Sequence, residues 1–542
     1  MRSSLRWPPS LIAKWFFLLV LFVGVVSTSL LCTSDACASE LHRTSGVLGE
    51  GTSWSIPWYS IESDEDGPTV LVTGGMHGNE PAGSAAAGQI RHWNIARGKL
   101  VVIPSLNRLG LDAEMRWFPV HRNDRSLRDL NRNFPKLENL QPRTLLCETV
   151  WEFVESERPD FVFDLHEGFD FPTSNSKSVG SSVIFSPSDE QHHLAQKMLD
   201  AVNETVDDDT RRFVPLSRNG AAQGSLVRAC ADVLGVRSFI LETTFKEQPL
   251  SFRTFQHRVM VSTALKEIGL LDSDSTDRMT SSLEHHRLSV GLFDAAGTTA
   301  KGLKNVSQSF DSEEFELVRI GPHDLSASTL SQFDVLIFPG GSGSRQGRAI
   351  GSDGREAIRK FVKDGGGVIG ICAGAYLCSA HYDWSLHIIN TSVFNETIEI
   401  PGVGRKSMWY RGGPSDVEME LTSEGEEIFS QSNRLDVRYQ NGPIMDVGPD
   451  DHLPEWTPLA WFRSEVVRYE PQEGTMIDSP AIIAAPFGNG RVMCISPHPE
   501  ATPGLENIIT EAVKWSAQRD GSHTASEPDS QLEEASTSPA QE

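Results

Sequence analysis

One short stretch constrains the fold of this chain most strongly: residues 69–80, with the sequence TVLVTGGMHGNE. Its apolar, β-branched beginning is typical of a buried strand, and the pair Gly74-Gly75 ends that strand. The alanine-rich residues 81–93 begin with a proline and predict a helix directly afterwards. His77 and Glu80 are therefore expected at the carboxyl end of a strand, where open α/β sheets bind ligands.

The spacing of His77 and Glu80 allows both side chains to reach one cation. A neutral imidazole and a carboxylate are ligands that suit zinc. On its own, the pattern HxxE more often marks a solvated glutamate beside a capping histidine. Two later strand ends favour the metal interpretation, because residues 161–166 (FVFDLH) end in His166 and residues 239–244 (FILETT) place Glu242 after an apolar run.

A fourth motif, DLNRNFP at residues 129–135, lies between the first histidine and the second. The order HxxE, DLNRNFP, strand-His, strand-Glu resembles the zinc carboxypeptidase superfamily, and most closely the branch of succinylglutamate desuccinylase and aspartoacylase. The resemblance covers residues 68–271. It implies a hydrolase with zinc as cofactor and His77, Glu80 and His166 as the metal ligands, which leaves an open position for water.

The same resemblance implies roles for four further residues. Asp129 corresponds to the carboxylate that orients the first histidine, as metal-bound imidazoles require. Asn131 and Arg132 correspond to the pair that holds a carboxylate or carbonyl of the substrate. Glu242 corresponds to the general base, which takes a proton from water and passes it to the leaving nitrogen.

The family also uses a further arginine to bind substrate. Four arginines precede the DLNR motif, and the spacing favours Arg122; the others are Arg116, Arg125 and Arg128. Asp164 precedes His166 by two residues, and we expect it to face away or to bond locally, with no catalytic role.

A second site is predicted in residues 365–376, GGGVIGICAGAY. Cys372 lies between glycines at a strand-to-helix turn, the geometry of a nucleophile elbow, where a helix N-terminus lowers the pKa of the thiol. Residues 496–500 (SPHPE) offer His498 as a base and Glu500 as its orienting carboxylate. Residues 339–341 (PGG) offer backbone N–H groups for an oxyanion.

These motifs resemble class I glutamine amidotransferase-like domains. The segments GICAGAY, GTT (residues 297–299) and YQNGP (residues 439–443) look most like the amidotransferase-like domain at the N-terminus of some biotin-protein ligases. The resemblance covers residues 288–517 and implies a flavodoxin-like fold. Because no synthetase domain accompanies it, a working hydrolase and a binding module that retains the triad both stay open.

The predicted fold class is α/β, with two three-layer α/β domains: a zinc-carboxypeptidase-like domain (39–271) and an amidotransferase-like domain (288–517). The 542 residues provide ample core for both. Strands are expected at residues 70–73, 100–104, 161–165, 183–186, 238–242, 289–293, 315–320, 335–339, 367–371, 482–485 and 492–496. Helices are expected at residues 81–93, 254–271, 297–310 and 354–363. Residues 272–287, rich in Ser, Asp and Thr, are interpreted as a linker, and residues 518–542 as a disordered acidic tail.

The N-terminus predicts export. Basic residues precede a short apolar core and the sequence Ala36-Cys37-Ala38, which is typical of a signal peptide over residues 1–38. An uncleaved membrane anchor is the main alternative, and a lipoprotein attached through Cys32 is a weaker one. The formal net charge of -25 argues against nucleic acid or anionic membranes as partners.

Together these observations predict a secreted or periplasmic zinc hydrolase that cleaves an amide bond next to a carboxylate. The expected substrate is a small peptide or an N-acyl amino acid, since an Asn-Arg pair favours a negatively charged group. Two alternatives remain: a periplasmic binding protein without catalysis, and an amidase whose activity depends on Cys372.

Overall fold

The computed structural model describes residues 41–186, 188–217, 220–272, 287–407, 413–466 and 474–517. The predicted signal peptide and acidic tail, and nearly all of the predicted linker, lie outside these residues. Within them, no helix has both the length and the apolar character needed to cross a membrane. The described residues form two α/β domains, as predicted.

The first domain contains eight strands and six α-helices in the described part of the chain. The strands are β1 (Leu41–Leu48), β2 (Ile56–Ser63), β3 (Thr69–Gly74), β4 (Lys99–Ile103), β5 (Phe161–Gly168), β6 (Ser182–Phe185), β7 (Val214–Leu216) and β8 (Arg237–Thr244). The helices are α1 (Pro81–Ile90), α2 (Arg108–Asp112), α3 (Leu145–Glu157), α4 (Asp189–Asn203), α5 (Leu226–Leu234) and α6 (Leu250–Glu267).

The strands of the first domain form one mixed sheet in the order β1-β2-β4-β3-β5-β8-β6-β7. Its centre is parallel, since β3 pairs with β4 and β5, and β5 pairs with β8. The outer strands β2 and β6 run antiparallel to their central neighbours. The carboxyl ends of β3, β5 and β8 therefore meet at one edge of the sheet.

Alternation of apolar side chains along these strands builds two cores. Val70 and Val72 of β3 pack on one side with α1, α4 and α6, whereas Leu71 packs on the other side with α3 and α5. This division follows from the two-residue period of a strand, which sends successive side chains to opposite faces. The result is the three-layer arrangement that the sequence predicts.

A close contact between α1 and the sheet brings the first two predicted ligands toward the third. A Cβ atom on Gly83 would lie 2.3 Å from the carbonyl oxygen of Leu165, so only glycine permits this approach. Because Leu165 precedes His166 and Gly83 follows Glu80 by three residues, the contact draws the beginning of α1 against the end of β5.

The second domain also consists of helices packed on both faces of a sheet, and its sheet is larger. Its strands are β9 (Leu288–Phe293), β10 (Phe315–Ile320), β11 (Val335–Phe338), β12 (Gly367–Ile371), β13 (Thr391–Val393), β14 (Thr397–Ile400), β15 (Gly404–Ser407), β16 (Ser415–Leu421), β17 (Arg434–Tyr439), β18 (Met445–Val447), β19 (Thr457–Phe462), β20 (Pro480–Phe487) and β21 (Gly490–Ile495). Its helices are α7 (Ala300–Gln308), α8 (Ala327–Leu330), α9 (Gly343–Lys363), α10 (Ala373–Cys378), α11 (Ser423–Phe429) and α12 (Asn507–Ala517).

Nine described strands form the main sheet of this domain, in the order β10-β9-β11-β12-β21-β20-β19-β16-β17. The half from β10 to β21 is parallel, and the half from β20 to β17 is antiparallel. Helices α7, α11 and α12 pack on one face, and α8, α9 and α10 pack on the other. The parallel half is flavodoxin-like, and the antiparallel half extends it.

Each predicted strand overlaps an observed one, whereas two helix boundaries differ clearly. The helix predicted from residue 254 begins at Leu250, and the helix predicted from residue 354 begins at Gly343. The second difference has a physical reason: α9 is interrupted at Gly351, where φ is 73°, and its first half is rich in glycine, which disfavours a helix prediction.

Candidate functional sites

The three predicted metal ligands meet at the edge of the first sheet. His77 and Glu80 lie in the segment between β3 and α1, and His166 lies in β5. All three are buried, with ligand atoms within 4.8 Å of one another. The Nδ1 atom of His77 is 2.9 Å from Oε1 of Glu80, and Nδ1 of His166 is 2.8 Å from Oε2 of the same carboxylate.

The outer nitrogen of each imidazole contacts a second carboxylate. Nε2 of His77 lies 3.2 Å from Oδ1 of Asp129, and Nε2 of His166 lies 2.9 Å from Oδ2 of Asp164. A proton on each Nε2 leaves the lone pair of Nδ1 pointing toward the other ligands. This pairing of carboxylate with imidazole is the usual environment of metal-bound histidines, so the donor set fits zinc.

Asp164 is a residue whose importance sequence reasoning missed. Residues i and i+2 of a strand share a face, so Asp164 and His166 point to the same side of β5. Asp164 is fully buried, and its other oxygen accepts a hydrogen bond from the hydroxyl of Thr73 at 2.7 Å. The expected local bond is present, but its partner is a proposed metal ligand, which makes Asp164 the counterpart of Asp129.

Opposing effects set the ionisation of the ligands. Burial alone favours neutral Glu80, but the charges and hydrogen bonds of His77 and His166 outweigh it and lower the pKa of this carboxyl far below its usual range. Burial also opposes protonation of His166, yet Asp164 and Glu80 raise its pKa well above the ordinary value. The cluster thus holds an ionised carboxylate between two imidazoles.

Glu242 lies beside this cluster. It is directly opposite His166 on the neighbouring strand β8, and its side chain is buried, with no hydrogen-bond partner for Oε2 among the described residues. Burial raises the pKa of Glu242 to about 8; the charge of His166 opposes this shift, and that of Glu80 adds to it. A carboxyl of this kind exchanges a proton near neutral pH, as a general acid–base requires.

The predicted substrate-binding residues have different positions. Asn131 is buried, and its Nδ2 lies 3.3 Å from Nε2 of His166 while its Oδ1 accepts from the backbone N–H of Leu226 at 3.1 Å. Arg132 is exposed, lines the cavity over the ligands and donates to the backbone oxygen of Asn131 at 2.6 Å. Both therefore border the space in front of the proposed metal ligands.

Arg122 does not reach this site, contrary to the expectation from spacing. Its side chain is exposed and does not line the cavity. Arg116 lines the cavity instead, and its Nη1 donates to Oε1 of Glu80 at 2.7 Å. The reason is the irregular course of residues 113–129, where the backbone N–H of Phe118 bonds to the oxygen of Arg128 and turns Arg122 outward.

The cavity over the ligands has a volume of about 710 Å³. One part of its lining is cationic, with Arg116, Arg132, Lys177 and Arg228, and another part is apolar, with Phe169, Ile184, Ile240 and Phe245. Phe169 is 62% exposed and packs edge-on against Phe245, with ring centroids 5.4 Å apart. This mixture suits a ligand that carries both carboxylate and apolar groups.

In the second domain, Cys372 connects β12 to α10 with φ of 50° and ψ of −99°. A non-glycine residue with positive φ is strained, and such strain is typical of functional turns. A Cβ atom on Gly374 would lie 1.9 Å from the carbonyl oxygen of Phe338, which explains the glycine two residues after the cysteine. The side chain of Cys372 is nearly buried, and its Sγ donates to the backbone oxygen of Gln440 at 3.5 Å. Helix α10 that follows has only six residues.

His498 and Glu500 lie at the same cavity as Cys372, together with Gly340 and Gly341. Nδ1 of His498 is 2.8 Å from Oε1 of Glu500. Burial opposes protonation of His498, but its hydrogen bonds with Cys372 and Glu500 raise its pKa to about 10. The cavity has a volume of about 720 Å³, so the predicted triad faces a space that admits a substrate.

Two known protein families match parts of this chain. Residues 66–206 match the catalytic domain of the succinylglutamate desuccinylase/aspartoacylase family, and residues 288–536 match the N-terminal domain of biotin-protein ligase. Each domain matches a family of its own. Both resemblances predicted from the sequence are therefore confirmed. The first match contains the three proposed metal ligands but ends before Glu242, and the second extends beyond the predicted domain end at residue 517.

Among curated proteins, none matches the chain. Among solved structures, a variant of the cell shape determinant protein Csd4 from Helicobacter pylori is 18% identical over 42% of this chain and 62% of that chain, with a TM-score of 0.34. Csd4 is described as a D,L-carboxypeptidase. The chain thus spans about three-fifths of the length of that protein.

Two further solved structures have comparable similarity. An aspartoacylase family protein from Mesorhizobium loti is 19% identical over 45% of this chain and 71% of that chain, with a TM-score of 0.32. An ectoine utilization protein from Ruegeria pomeroyi is 17% identical over 45% of this chain and 72% of that chain, with a TM-score of 0.31.

Proposed function

We propose that the first domain is a zinc-dependent hydrolase that cleaves an amide bond next to a carboxylate. The observation that carries this proposal is the convergence of His77, Glu80 and His166 with both outer nitrogens held by carboxylates. The match of residues 66–206 to a catalytic-domain family supports it.

The mechanism assigns one task to each group. His77, Glu80 and His166 would hold zinc, which would supply a Lewis acid for the scissile carbonyl and for water. Glu242, which lies opposite His166 at the sheet edge, takes the proton of the attacking water and returns it to the leaving nitrogen. Arg132 and Asn131 hold the substrate carboxylate so that the amide lies over the ligands.

The substrate is proposed to be a small peptide or an N-acyl amino acid. The cavity volume of about 710 Å³ favours a peptide, because a single acylated amino acid would fill only part of it. The cationic lining favours at least one carboxylate, and the exposed Phe169 favours an apolar side chain beside it.

The organisation of the chain is proposed as follows: a signal peptide (1–38), the zinc-dependent domain (39–271), a linker (272–287), the amidotransferase-like domain (288–517) and an acidic tail (518–542). Export to the periplasm or the medium rests on the basic and apolar N-terminal pattern. It favours an extracytoplasmic peptide as the substrate. Contact with a membrane is proposed only through an uncleaved N-terminal segment.

A panel of acyl-amino acids and short peptides tests this function. Full-length protein and a Cys372→Ala variant are assayed with and without a chelator. Hydrolysis that persists in the variant and stops on chelation supports the zinc-dependent domain. Tight binding of panel members without hydrolysis by either protein would instead identify a binding protein.

A second candidate function is an amidase that uses Cys372. The strained φ of 50° at this residue and the His498–Glu500 contact of 2.8 Å favour it. His498 would take the proton of the Cys372 thiol and keep it as an imidazolium, and Glu500 would orient the ring. Loss of turnover after thiol alkylation, with turnover unchanged by a chelator, would assign the activity to this site rather than to the zinc-dependent domain.

A further inference from the structure

A buried ion pair lies directly behind the proposed metal ligands. It joins Glu167, which follows His166 in β5, to Arg253 of α6, and the Nη1 atom of Arg253 donates to Oε1 of Glu167. The two side chains are 0% and 10% exposed. Burying a charged pair is costly and often brings no net stability. Stability alone therefore does not account for this pair.

Glu167 connects the two segments that carry the ligands. Its Oε2 accepts a hydrogen bond from the backbone N–H of Ala82 at 2.7 Å, and its own backbone N–H donates to Oε2 of Glu80 at 3.3 Å. Glu80 occupies the N-cap position of α1 but forms no capping bond with its side chain. Glu167 supplies that bond from β5, which frees the carboxylate of Glu80 for the metal site.

Arg253 fixes the orientation of Glu167. Its Nε donates to the backbone oxygen of Gln248 at 3.2 Å, so the guanidinium is held at both ends. One oxygen of Glu167 then faces Arg253 and the other faces the beginning of α1. Arg253 is thus connected, through Glu167, to the segments that carry Glu80 and His166, without a hydrogen bond to either ligand side chain in the described structure.

We propose that Glu167 and Arg253 are positioning residues that set the zinc affinity of the site by holding Glu80 and His166 in register. This inference rests on the proposed metal site. Residues that support metal ligands from behind typically change metal affinity by about 10- to 100-fold when they are altered.

The test is the zinc affinity of full-length protein, measured by competition with a chromogenic chelator. Arg253→Met and Glu167→Gln are each expected to weaken zinc binding by about 10- to 100-fold. Glu167→Gln keeps an acceptor for the N–H of Ala82, so the helix beginning is retained. The zinc affinity of the double variant is expected to be no lower than that of the single variant that binds zinc more weakly, because the two residues act as a unit. Arg253→Lys keeps the positive charge, and its zinc affinity is expected to lie between that of Arg253→Met and that of the wild-type protein.

Arg258 provides a matched control on the same helix. Its Nη2 donates to Oδ1 of Asp324 in the second domain at 2.6 Å, and the two side chains are 1% and 3% exposed. Arg258→Met thus disrupts a comparably buried pair that joins α6 to the second domain and not to the segments that carry the ligands. It is expected to lower the melting temperature while the zinc affinity stays at the wild-type value.

The outcomes separate the two proposals. Wild-type zinc affinity in Arg253→Met would overturn the positioning role and leave the metal site standing. An equal loss of affinity in Arg258→Met would show general destabilisation and would also overturn the positioning role. A wild-type protein that binds no zinc would overturn the metal site itself, and the positioning role with it.

Discussion

His166 and Glu242 lie directly opposite each other on the parallel strands β5 and β8. Opposed residues of neighbouring strands point to the same face of a sheet. A proposed metal ligand and a buried carboxyl with a raised pKa therefore share one side of the sheet edge. Since the family match ends at residue 206, this geometry is the main support for Glu242 as the general base.

Replacement of Glu242 tests that role. Glu242→Gln keeps the shape of the side chain and removes its capacity to accept a proton. We expect kcat to fall by about 10²- to 10⁴-fold, the usual contribution of general acid–base catalysis, with zinc content unchanged. Turnover and metal content are measured on the same preparation. Wild-type kcat in this variant would remove Glu242 from the mechanism.

The carboxylates behind the imidazoles should control metal affinity. In Asp164→Asn the side chain keeps its size and the hydrogen bond with Thr73 but loses the charge next to His166. We expect zinc binding to weaken by about 10- to 100-fold, and Asp129→Asn to act similarly on His77. Chelator competition measures both. Unchanged affinity in both variants would mean that the imidazoles are oriented by other contacts.

Replacement of Arg132 and replacement of Arg122 are expected to have different effects on substrate binding. Arg132 lines the cavity and Arg122 does not. Removal of a charged hydrogen bond costs about 1.5–3 kcal/mol, so Arg132→Ala should lower kcat/KM on carboxylate-bearing substrates by roughly 10- to 100-fold. Arg122→Ala should leave kcat/KM unchanged. The reverse pattern would restore the expectation from sequence spacing.

Deprotonation of His498 should lower the stability of the second domain at alkaline pH. Its pKa is raised from 6.5 to about 10, so between these values the folded chain holds a proton that the unfolded chain releases. The stability due to this group is complete below pH 6.5 and is lost as pH rises through about 10. Glu500→Gln removes one cause of the shift and should flatten the decline.

Denaturation by urea across this pH range measures the effect, and NMR titration of His498 gives its pKa directly. A His498 imidazole that titrates near its ordinary value in the wild-type protein would contradict the hydrogen-bonded arrangement with Cys372 and Glu500.

The proposed ligands could be identified from the sequence because local patterns fix their positions. His77 follows a strand and a glycine pair, and His166 ends an apolar run, so both fall at the same sheet edge once the two strands are parallel, as β3 and β5 are. Asp164 was also within reach of sequence reasoning, since residues two apart in a strand share a face.

Other features depend on contacts that no local pattern encodes. Arg116 reaches Glu80 and Arg122 does not because of the irregular loop that contains Phe118. The antiparallel strands β16, β17 and β19 were not predicted. Strands β16 and β17 do carry the alternation of charged and apolar residues that is typical of a half-buried strand, but no local pattern encodes their pairing with distant partners. The Glu167–Arg253 pair joins residues 86 positions apart, which only the folded chain reveals.

Metal analysis of the purified full-length chain tests the central claim most directly. We expect about one zinc per wild-type chain, since three protein ligands form a single catalytic-type site. In a His77→Ala/His166→Ala variant that remains folded, the zinc content should fall to background. A wild-type chain without bound divalent metal, or a variant that retains its zinc, would contradict the account.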